Sequence, residues 1–363
     1  MAPDDAPFLR NCWYVAAWDH ELVAGKLLER TILEQPLALY RGESGHAVAL
    51  DNRCAHRGAK LSNGRIEGDA VRCLYHGLKF DATGQCVQIP GQDNIPPRLC
   101  VRSFPIVERD HLIWIWMGEA ARADPAAIID IPYLRDPAWR GVPDYMHYAA
   151  DYRLIVDNLS DFSHLAFVHT KTLGGSEEYA FKTKPVAIER LERGFRVERW
   201  HMNALPPPFH RKVVHDDALL DRRNIGLMFV PGIFFLESLF APAGVGAEKG
   251  NFAQAKQYRN CQFFTPETRR STHFFWNYLH DYDLHDASIG GSLHDSMVEG
   301  FLEDKFIIEG QQAMLDADPN FKMNPIVADA PLAHFRRTLD GLIAAERTSV
   351  RSAVAAETIP FPR

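Results

Sequence analysis

The sequence lacks a block of like charge, a low-complexity segment and an internal repeat. Its 40 basic and 47 acidic side chains give a formal net charge of −7 and are spread along 363 residues. This balance argues against nucleic acid as a partner. Hydrophobic residues make up 46% and charged residues 24%, which is typical of a globular protein and not of a disordered one. The length suits two domains.

We also expect no signal for export and no membrane-spanning segment. Residues 1–7 contain two aspartates and no apolar run, so we expect no secretory signal and a cytoplasmic protein. The most apolar stretch, residues 225–246, is interrupted by two prolines and a glutamate. Two buried strands joined by a turn at Pro231-Gly232 account for this stretch better than a membrane-spanning helix.

Cysteine is scarce, with six residues in the whole chain. So few cysteines in so long a chain do not indicate a disulfide framework. Cys54 and Cys73 lie close to histidines, at spacings typical of metal ligands. The other four are expected to be buried apolar residues.

The pattern along the chain changes once. Short strand-like runs separated by glycine-containing turns fill residues 30–117 and predict an all-β module. Ala, Asp and Pro then cluster in residues 118–132, where we place a domain boundary that divides the chain into 1–125 and 126–363. Longer strands followed by helical patterns predict an α+β second domain with an antiparallel sheet flanked by helices.

Two short Cys-His pairs lie within the all-β module. The first is Cys54-Ala55-His56, and the second, after sixteen residues, is Cys73-Leu74-Tyr75-His76. A [2Fe–2S] cluster with two thiolates on one iron and two imidazoles on the other needs this ligand set. Zinc also binds two Cys and two His, but zinc fingers usually keep Cys with Cys and His with His. The mixed pairs therefore favour an iron–sulfur cluster.

These pairs, with this gap between them, resemble the cluster signature of the Rieske oxygenase family. The opening residues 8–16, Phe-Leu-Arg-Asn-Cys-Trp-Tyr-Val-Ala, are similar to the start of the branch that includes vanillate and dicamba O-demethylases. The resemblance implies a Rieske [2Fe–2S] domain, followed by a catalytic domain of the helix-grip (START-like) type that holds a mononuclear Fe(II).

A second group of potential metal ligands lies in residues 157–169, which we predict to be part of a helix over about 154–169. On a regular helix Asp157, Asp161 and His164 share a face. His169 falls about 140° away from His164, so both histidines reach one ion only if the helix ends or bulges between them. Two histidines and a carboxylate are the ligands of non-haem Fe(II) oxygenases. A core histidine or a solvated amphipathic helix is the alternative.

The resemblance assigns roles within this segment. His164 and His169 match the two iron-ligand histidines of the family. Asp161 matches the carboxylate that connects the Rieske histidine of one subunit to the iron-ligand histidine of the next. Asn158 matches a residue that lies close to the iron.

The third iron ligand of the family is an aspartate far along the chain. Asp304, within residues 300–310, matches its context. Glu303 and Glu309 remain alternatives, because any of the three carboxylates could be a surface charge on sequence alone.

The strands between the two halves of the iron site are expected to line an aromatic-rich substrate cavity, with Phe235 and Phe264 as the selected lining residues from a set that also includes Phe234. For any single Phe, ordinary core packing is the alternative. Residues 265–268, Thr-Pro-Glu-Thr, are similar to a stretch that precedes a substrate-contacting histidine in dicamba O-demethylase. His273 is therefore the candidate for binding a substrate carboxylate or phenol, with a core histidine as the alternative.

As an activity, the resemblance implies a monooxygenase that uses O2 and electrons from a separate reductase, possibly through a ferredoxin, to oxidise a small aromatic substrate. The implied electron route passes through His76, Asp161 and His164, and the implied assembly is a head-to-tail homotrimer. O-demethylation of a methoxylated aromatic acid, through a hemiacetal that releases formaldehyde, is the expected reaction. N-demethylation, ring hydroxylation, and a non-catalytic Rieske electron carrier with a hydrophobe-binding domain remain alternatives.

Overall fold

The computed structural model describes residues 8–174, 177, 181 and 187–357, so the segment 1–7, for which no secretory signal is expected, lies outside the described residues. The chain forms two compact units. One comprises Met1–Ile131, Thr265–Arg269 and Leu342–Arg363, and the other comprises Pro132–Phe264 and Arg270–Gly341.

The first unit contains three small antiparallel sheets with the strand orders β1-β10-β9, β2-β3-β4 and β5-β6-β7-β8. The strands are β1 Trp13–Trp18, β2 Leu27–Ile32, β3 Gln35–Arg41, β4 Ala47–Asp51, β5 Arg65–Glu67, β6 Ala70–Arg72, β7 Lys79–Phe80, β8 Cys86–Gln88, β9 Ile106–Arg109 and β10 Leu112–Trp116. The all-β character predicted for residues 30–117 is confirmed.

A buried cluster in the first unit contains both cysteines of the Cys-His pairs. Tyr40, Leu50 and Phe80, each fully buried, pack in the same cluster as Cys54 and Cys73. The two cysteines are therefore packed in the apolar core formed by the small strands, which restricts the movement of the loops that carry them.

The second unit is built on a seven-stranded antiparallel sheet of order β11-β17-β16-β15-β14-β13-β12. The strands are β11 Arg140–Tyr148, β12 Glu189–Leu191, β13 Gly194–Ala204, β14 Leu220–Phe229, β15 Ile233–Pro242, β16 Lys256–Thr268 and β17 Ser271–His280. Two strands joined through Pro231-Gly232 are confirmed for the apolar stretch at residues 225–246. Among the described residues, no helix has the length and apolar character needed to cross a membrane.

The α-helices with defined bounds are α1 Tyr152–Ser160, α2 Leu165–Val168, α3 Ala287–Ala317 and α4 Ala330–Glu357. Asp151 and Asp286 precede α1 and α3, and each side chain accepts a hydrogen bond from a backbone N–H of the first turn. The helical patterns expected near the C-terminal end lie within α3 and α4. An all-β module followed by a large antiparallel sheet and helices confirms the predicted α+β arrangement.

Candidate metal centres and the adjacent cavity

The two Cys-His pairs form loops of the same construction. In the first, the N–H of Gly58 donates to the carbonyl of Cys54 at 2.9 Å, and in the second the N–H of Gly77 donates to the carbonyl of Cys73 at 3.1 Å. Both glycines have φ of +72°, a conformation that favours glycine. A Cβ at residue 77 would also lie 2.9 Å from Cγ of Pro90. Each loop thus turns sharply just after its histidine.

The four side chains of these loops sort by burial as a two-iron cluster requires. Cys54 and Cys73 are 3% and 2% exposed, while His56 and His76 are exposed, with their rings edge-to-face and the centroids 4.6 Å apart. Burial, with the neighbouring thiol of Cys73, raises the pKa of Cys54 to about 11. Two buried sulfurs and two outer imidazoles fit a cluster whose histidine-bound iron lies near the surface.

The helical segment predicted over 154–169 is interrupted at two points. Helix α1 ends at Ser160, and Asp161 adopts an extended conformation with φ −131° and ψ 108°. A short 3₁₀ turn, Phe162–His164, follows and ends at the first histidine, and the single turn of α2 lies between the two histidines. One interruption therefore precedes His164, and the helix also ends between the histidines as expected, because α2 stops at Val168 and His169 has a non-helical conformation with φ −107° and ψ 39°. The Asp161 carboxylate stabilises the first interruption, because it accepts hydrogen bonds from the N–H and hydroxyl of Ser163 at 2.9 and 2.7 Å.

With these interruptions, His164 and His169 lie close to each other and to Asp304 of α3. Nε2 of His169 lies 3.1 Å from Oδ1 of Asp304, and Nε2 of His164 lies 3.5 Å from the same oxygen. One ligand atom from each of the three residues falls within 4.8 Å of the others. The third ligand predicted from the resemblance is therefore adjacent to both histidines.

Hydrogen bonds on the far side of each ring leave both Nε2 atoms free to bind a metal. Nδ1 of His164 donates to the backbone carbonyl of Asp161 at 2.7 Å, and Nδ1 of His169 donates to the carboxylate of Glu303 at 2.7 Å. An oxygen acceptor at Nδ1 fixes the neutral ring in the tautomer whose Nε2 carries a lone pair. Nε2 of His169 is buried and has no hydrogen-bond partner in the described part of the chain.

Glu303, an alternative to Asp304 on sequence alone, thus has a different contact. Its Oε2 atom accepts from His169 and from the hydroxyl of Thr172 at 2.6 Å. Glu309 accepts from the N–H of Ala149 and from Lys305. The hydrogen bond from His169 to Glu303 was not predicted from the sequence. The position of Glu303 next to Asp304 in the sequence was the feature that could have indicated it.

Asp304 is 5% exposed, and its Oδ1 accepts a hydrogen bond from the amide of Asn158 at 2.9 Å. Burial, only partly offset by Asp304, lowers the pKa of His164. Against the opposing effect of burial, the carboxylates of Asp304 and Glu303 raise the pKa of His169. Two imidazoles and one carboxylate on one side, with oriented supporting groups, fit the ligand set of a mononuclear non-haem iron.

A cavity of about 800 Å³ opens beside this triad, and all three residues line it. This volume is within the range of sites for small organic ligands. Aromatic rings form much of the apolar wall, namely Phe162, Phe209, Phe234, Tyr258 and Phe301. Asp161 also lines the cavity, whereas Asn158 contacts Asp304 from outside the lining.

The three predicted pocket residues lie elsewhere. His273 is 4% exposed and its Nδ1 is 2.9 Å from the hydroxyl of Tyr145, and Phe264 stacks on Phe274 with centroids 5.4 Å apart. Phe235 follows Phe234 on β15, so its side chain points to the opposite face of the sheet. None of the three belongs to the described residues that line the cavity.

Comparison with known proteins identifies a family for each of the two parts of the chain. Residues 12–105 match the family model of the Rieske [2Fe-2S] domain, and residues 148–345 match that of the vanillate O-demethylase oxygenase C-terminal domain. The iron-sulfur subunit of a toluene-4-sulfonate monooxygenase system from Comamonas testosteroni is 45% identical over 93% of this chain and 98% of its own length.

Two further comparisons concern dicamba. The oxygenase component of dicamba O-demethylase from Stenotrophomonas maltophilia is 37% identical over 83% of this chain and 87% of its own. The crystal structure of dicamba monooxygenase bound to dicamba superposes with a TM-score of 0.85 at 33% identity, covering 94% of this chain and 99% of that one. The chain therefore belongs to the Rieske non-haem iron oxygenases, as the oxygenase component of a monooxygenase system that uses a Rieske [2Fe–2S] cluster and non-haem iron.

Proposed function

We propose that the chain oxidises a small aromatic acid and that its reaction is O-demethylation of a methoxylated substrate. The observation that carries this proposal is the cavity of about 800 Å³ with aromatic walls, into which His164, His169 and Asp304 face. A cavity of this size suits a single aromatic ring with its substituents. Three relatives are named for aromatic substrates, namely toluene-4-sulfonate, dicamba and vanillate.

In this proposal, residues 1–125 form the Rieske domain, with Cys54, His56, Cys73 and His76 as cluster ligands, and residues 126–363 form the catalytic domain. The triad holds a mononuclear Fe(II), which when bound supplies the activation of O2. Support for the ligand roles comes from the free Nε2 atoms and their shared proximity to Asp304.

The protein's own part in the reaction is to bind and orient. Asn158 and Glu303 hold Asp304 and His169 through hydrogen bonds of 2.9 and 2.7 Å, so that the ligand atoms need little rearrangement. The aromatic walls exclude water and present the methoxy carbon to the triad. Hydroxylation of that carbon gives a hemiacetal, which collapses to a phenol and formaldehyde.

We propose a reductase, directly or through a ferredoxin, as the electron source, and a homotrimer as the assembly. Both rest on the family, whose members are components of multicomponent systems. Asp161 is the proposed connection between the cluster of one chain and the iron of the next. Its backbone carbonyl already holds Nδ1 of His164.

A second candidate reaction is favoured by one comparison. The relative that is 45% identical is named for toluene-4-sulfonate, an arene that carries a methyl group and a sulfonate. Hydroxylation of an aryl methyl group would use the same cavity and triad and would give an alcohol without formaldehyde.

Formaldehyde release tests the proposal. Iron-reconstituted protein is incubated with NADH, a surrogate reductase and O2 against methoxybenzoates, toluenesulfonates, N-methyl heterocycles and plain aromatic acids. The expected result is that a methoxybenzoate releases formaldehyde in proportion to the O2 consumed. A hydroxymethyl product from a toluenesulfonate, with no formaldehyde from any methoxy substrate, would replace O-demethylation by the second candidate. Ring-hydroxylated products alone would contradict both.

A further inference from the structure

The sheet wall of the cavity carries an unusual set of polar side chains. Because side chains alternate along a strand, every second residue faces the cavity. The polar residues on this face are Arg199, His201 and Asn203 of β13, Arg222 and Asn224 of β14, and Asn260 and Gln262 of β16. Arg222 lies directly opposite His201 in the β13–β14 pairing. The cavity thus has a cationic part of its wall that belongs to the sheet and not to the iron triad.

Arg222 is a cation of this wall for which the described part of the chain offers no carboxylate partner. Its Nε atom is buried and has no hydrogen-bond partner among the described residues. Burial lowers the pKa of the guanidinium, and the one opposing electrostatic influence comes from Tyr258. Arg199 differs, because the carboxylate of Asp161 attracts it. Arg222 stays protonated because the guanidinium pKa starts so high, and no described carboxylate compensates its charge.

His210 lies next to this charge, in the 3₁₀ turn Pro208–Lys212. It is 4% exposed, and neither ring nitrogen has a hydrogen-bond partner in the part of the chain that the structure describes. The ring packs perpendicular to Phe240, with centroids 4.6 Å apart. Burial and the charge of Arg222 lower the pKa of His210 far below its usual range, so the ring is neutral and offers one N–H.

An uncompensated buried guanidinium beside an unsatisfied imidazole destabilises the empty protein. Such groups are characteristic of sites whose missing partner is a ligand. An anion in the cavity would supply both the counter-charge for Arg222 and an acceptor for the N–H of His210. Charge-assisted hydrogen bonds to a guanidinium are also the strong ones.

We infer that Arg222 and His210 form an oxyanion subsite that binds the carboxylate or sulfonate of the aromatic substrate. This inference rests on the proposed function, since it takes the cavity as the substrate site. The subsite holds the anionic group of the substrate at the sheet. The substituent that reaches the triad is therefore one on the side of the ring away from the anionic group. The charge therefore selects both the substrate class and the position that is oxidised.

Binding to the oxidised, metal-loaded enzyme tests the subsite without any turnover. Dissociation constants are measured by titration calorimetry for 4-methoxybenzoate, for 4-toluenesulfonate and for the neutral 4-methoxybenzamide. Wild type is expected to bind at least one anion more tightly than the amide. Arg222→Gln should raise the dissociation constant of that anion by about 10- to 100-fold and leave the dissociation constant of the amide unchanged. The tighter of the two anions identifies the group as carboxylate or sulfonate.

Two further variants keep the test decisive. Arg223→Gln is the matched control, because Arg223 is the next residue on β14, stacks over Trp200 and Phe252, and is not part of the cavity lining. It should bind the anions as wild type does. Arg222→Met, apolar and of similar length, repeats the loss of charge should the glutamine variant not fold.

Thermal midpoints separate a binding role from a structural one. Without ligand, Arg222→Gln should melt at or above the wild-type temperature, because it removes a buried charge that has no partner. Saturating anion should then raise the wild-type midpoint and not that of the variant. Equal affinity of wild type for anions and amide, or an equal loss for both in Arg222→Gln, would overturn the subsite.

The outcome for the subsite is distinct from that for the reaction. Charge-selective binding that depends on Arg222, with no formaldehyde from any methoxy substrate, would leave the subsite standing and remove O-demethylation. Formaldehyde release from neutral and anionic substrates with equal efficiency would do the reverse.

Discussion

Nδ1 of His169 donates a 2.7 Å hydrogen bond to the carboxylate of Glu303, while Nε2 of the same ring lies 3.1 Å from Oδ1 of Asp304. Consecutive carboxylates on one helix thus contact opposite edges of one imidazole. Asp304 is 5% exposed and the His169 ring is fully buried. Glu303 therefore orients the ring, and Asp304 lies on the side where the metal is proposed to bind.

Glu303→Gln tests this division of roles. Glutamine can still accept from Nδ1 but does not carry the charge that makes the imidazole a stronger ligand, so we expect iron affinity at the triad to fall about 10- to 100-fold. The measurement is iron retained after dialysis against a series of chelator concentrations. Glu299→Gln, at an exposed position of α3, is the matched control. Loss of iron equal to that of Asp304→Ala would instead make Glu303 a direct ligand.

Asp161→Asn tests the proposed connection between the two metal sites. Asparagine caps a helix as well as aspartate does, so its amide oxygen should still accept from the N–H of Ser163, and the backbone carbonyl that holds His164 is unchanged. We expect both metals to be retained, the cluster to be reduced normally and turnover to fall close to background.

The control for Asp161→Asn is Asp286→Asn. Asp286 caps α3 with the same pattern, accepting from the N–H and hydroxyl of Ser288 at 2.9 and 2.6 Å. Its variant should turn over substrate as wild type does. Full activity of Asp161→Asn in single-turnover and steady-state assays would contradict a role in the electron route.

The buried histidines of the cavity predict an acid-sensitive fold. Burial and Arg222 lower the pKa of His201 to about 4, and His210 is shifted in the same direction. The unfolded chain takes up protons at these histidines near pH 6.5, whereas the folded one does not until the pH is lower. Stability is therefore lost as the pH falls from about 6.5 toward 4, because the unfolded state binds more protons in that window.

His210→Phe should reduce this loss. Phenylalanine fits among Phe209, Phe240 and Tyr258, removes two unsatisfied nitrogens and cannot bind a proton. We expect a smaller drop in thermal midpoint between about pH 7.5 and pH 5 than in wild type. His20→Phe, at a side chain that is 59% exposed, is the control. A drop as large as that of wild type would show that His210 is not the source.

The sequence allowed some of this site to be predicted and not the rest, for physical reasons. Ligand chemistry and spacing sufficed for the Cys-His loops, because each loop is local. His164 and His169 lie in one segment, yet the helix break before them depends on the Asp161 cap, which helical periodicity does not reveal. Asp304 could be recognised only through the family, since its distance along the chain leaves no local signal.

The substrate wall was the least predictable part. Choosing Phe235 instead of Phe234 reverses the face of the sheet, because a shift of one residue on a strand points the side chain to the other side. Arg222 and His210 come from a strand and a 3₁₀ turn that share no motif, and only the folded cavity brings them together. We infer their role from polar atoms that have no hydrogen-bond partner among the described residues. A sequence does not show which hydrogen bonds are missing.

The central claim is that His164, His169 and Asp304 hold the mononuclear iron that acts on a substrate in this cavity. Iron content per chain, measured with the visible spectrum of the cluster, tests it most directly in His164→Ala against His285→Ala, an exposed histidine outside the site. The account predicts that His164→Ala keeps the cluster spectrum, loses one iron per chain and produces no product, while His285→Ala matches wild type. Unchanged iron content in His164→Ala would contradict it.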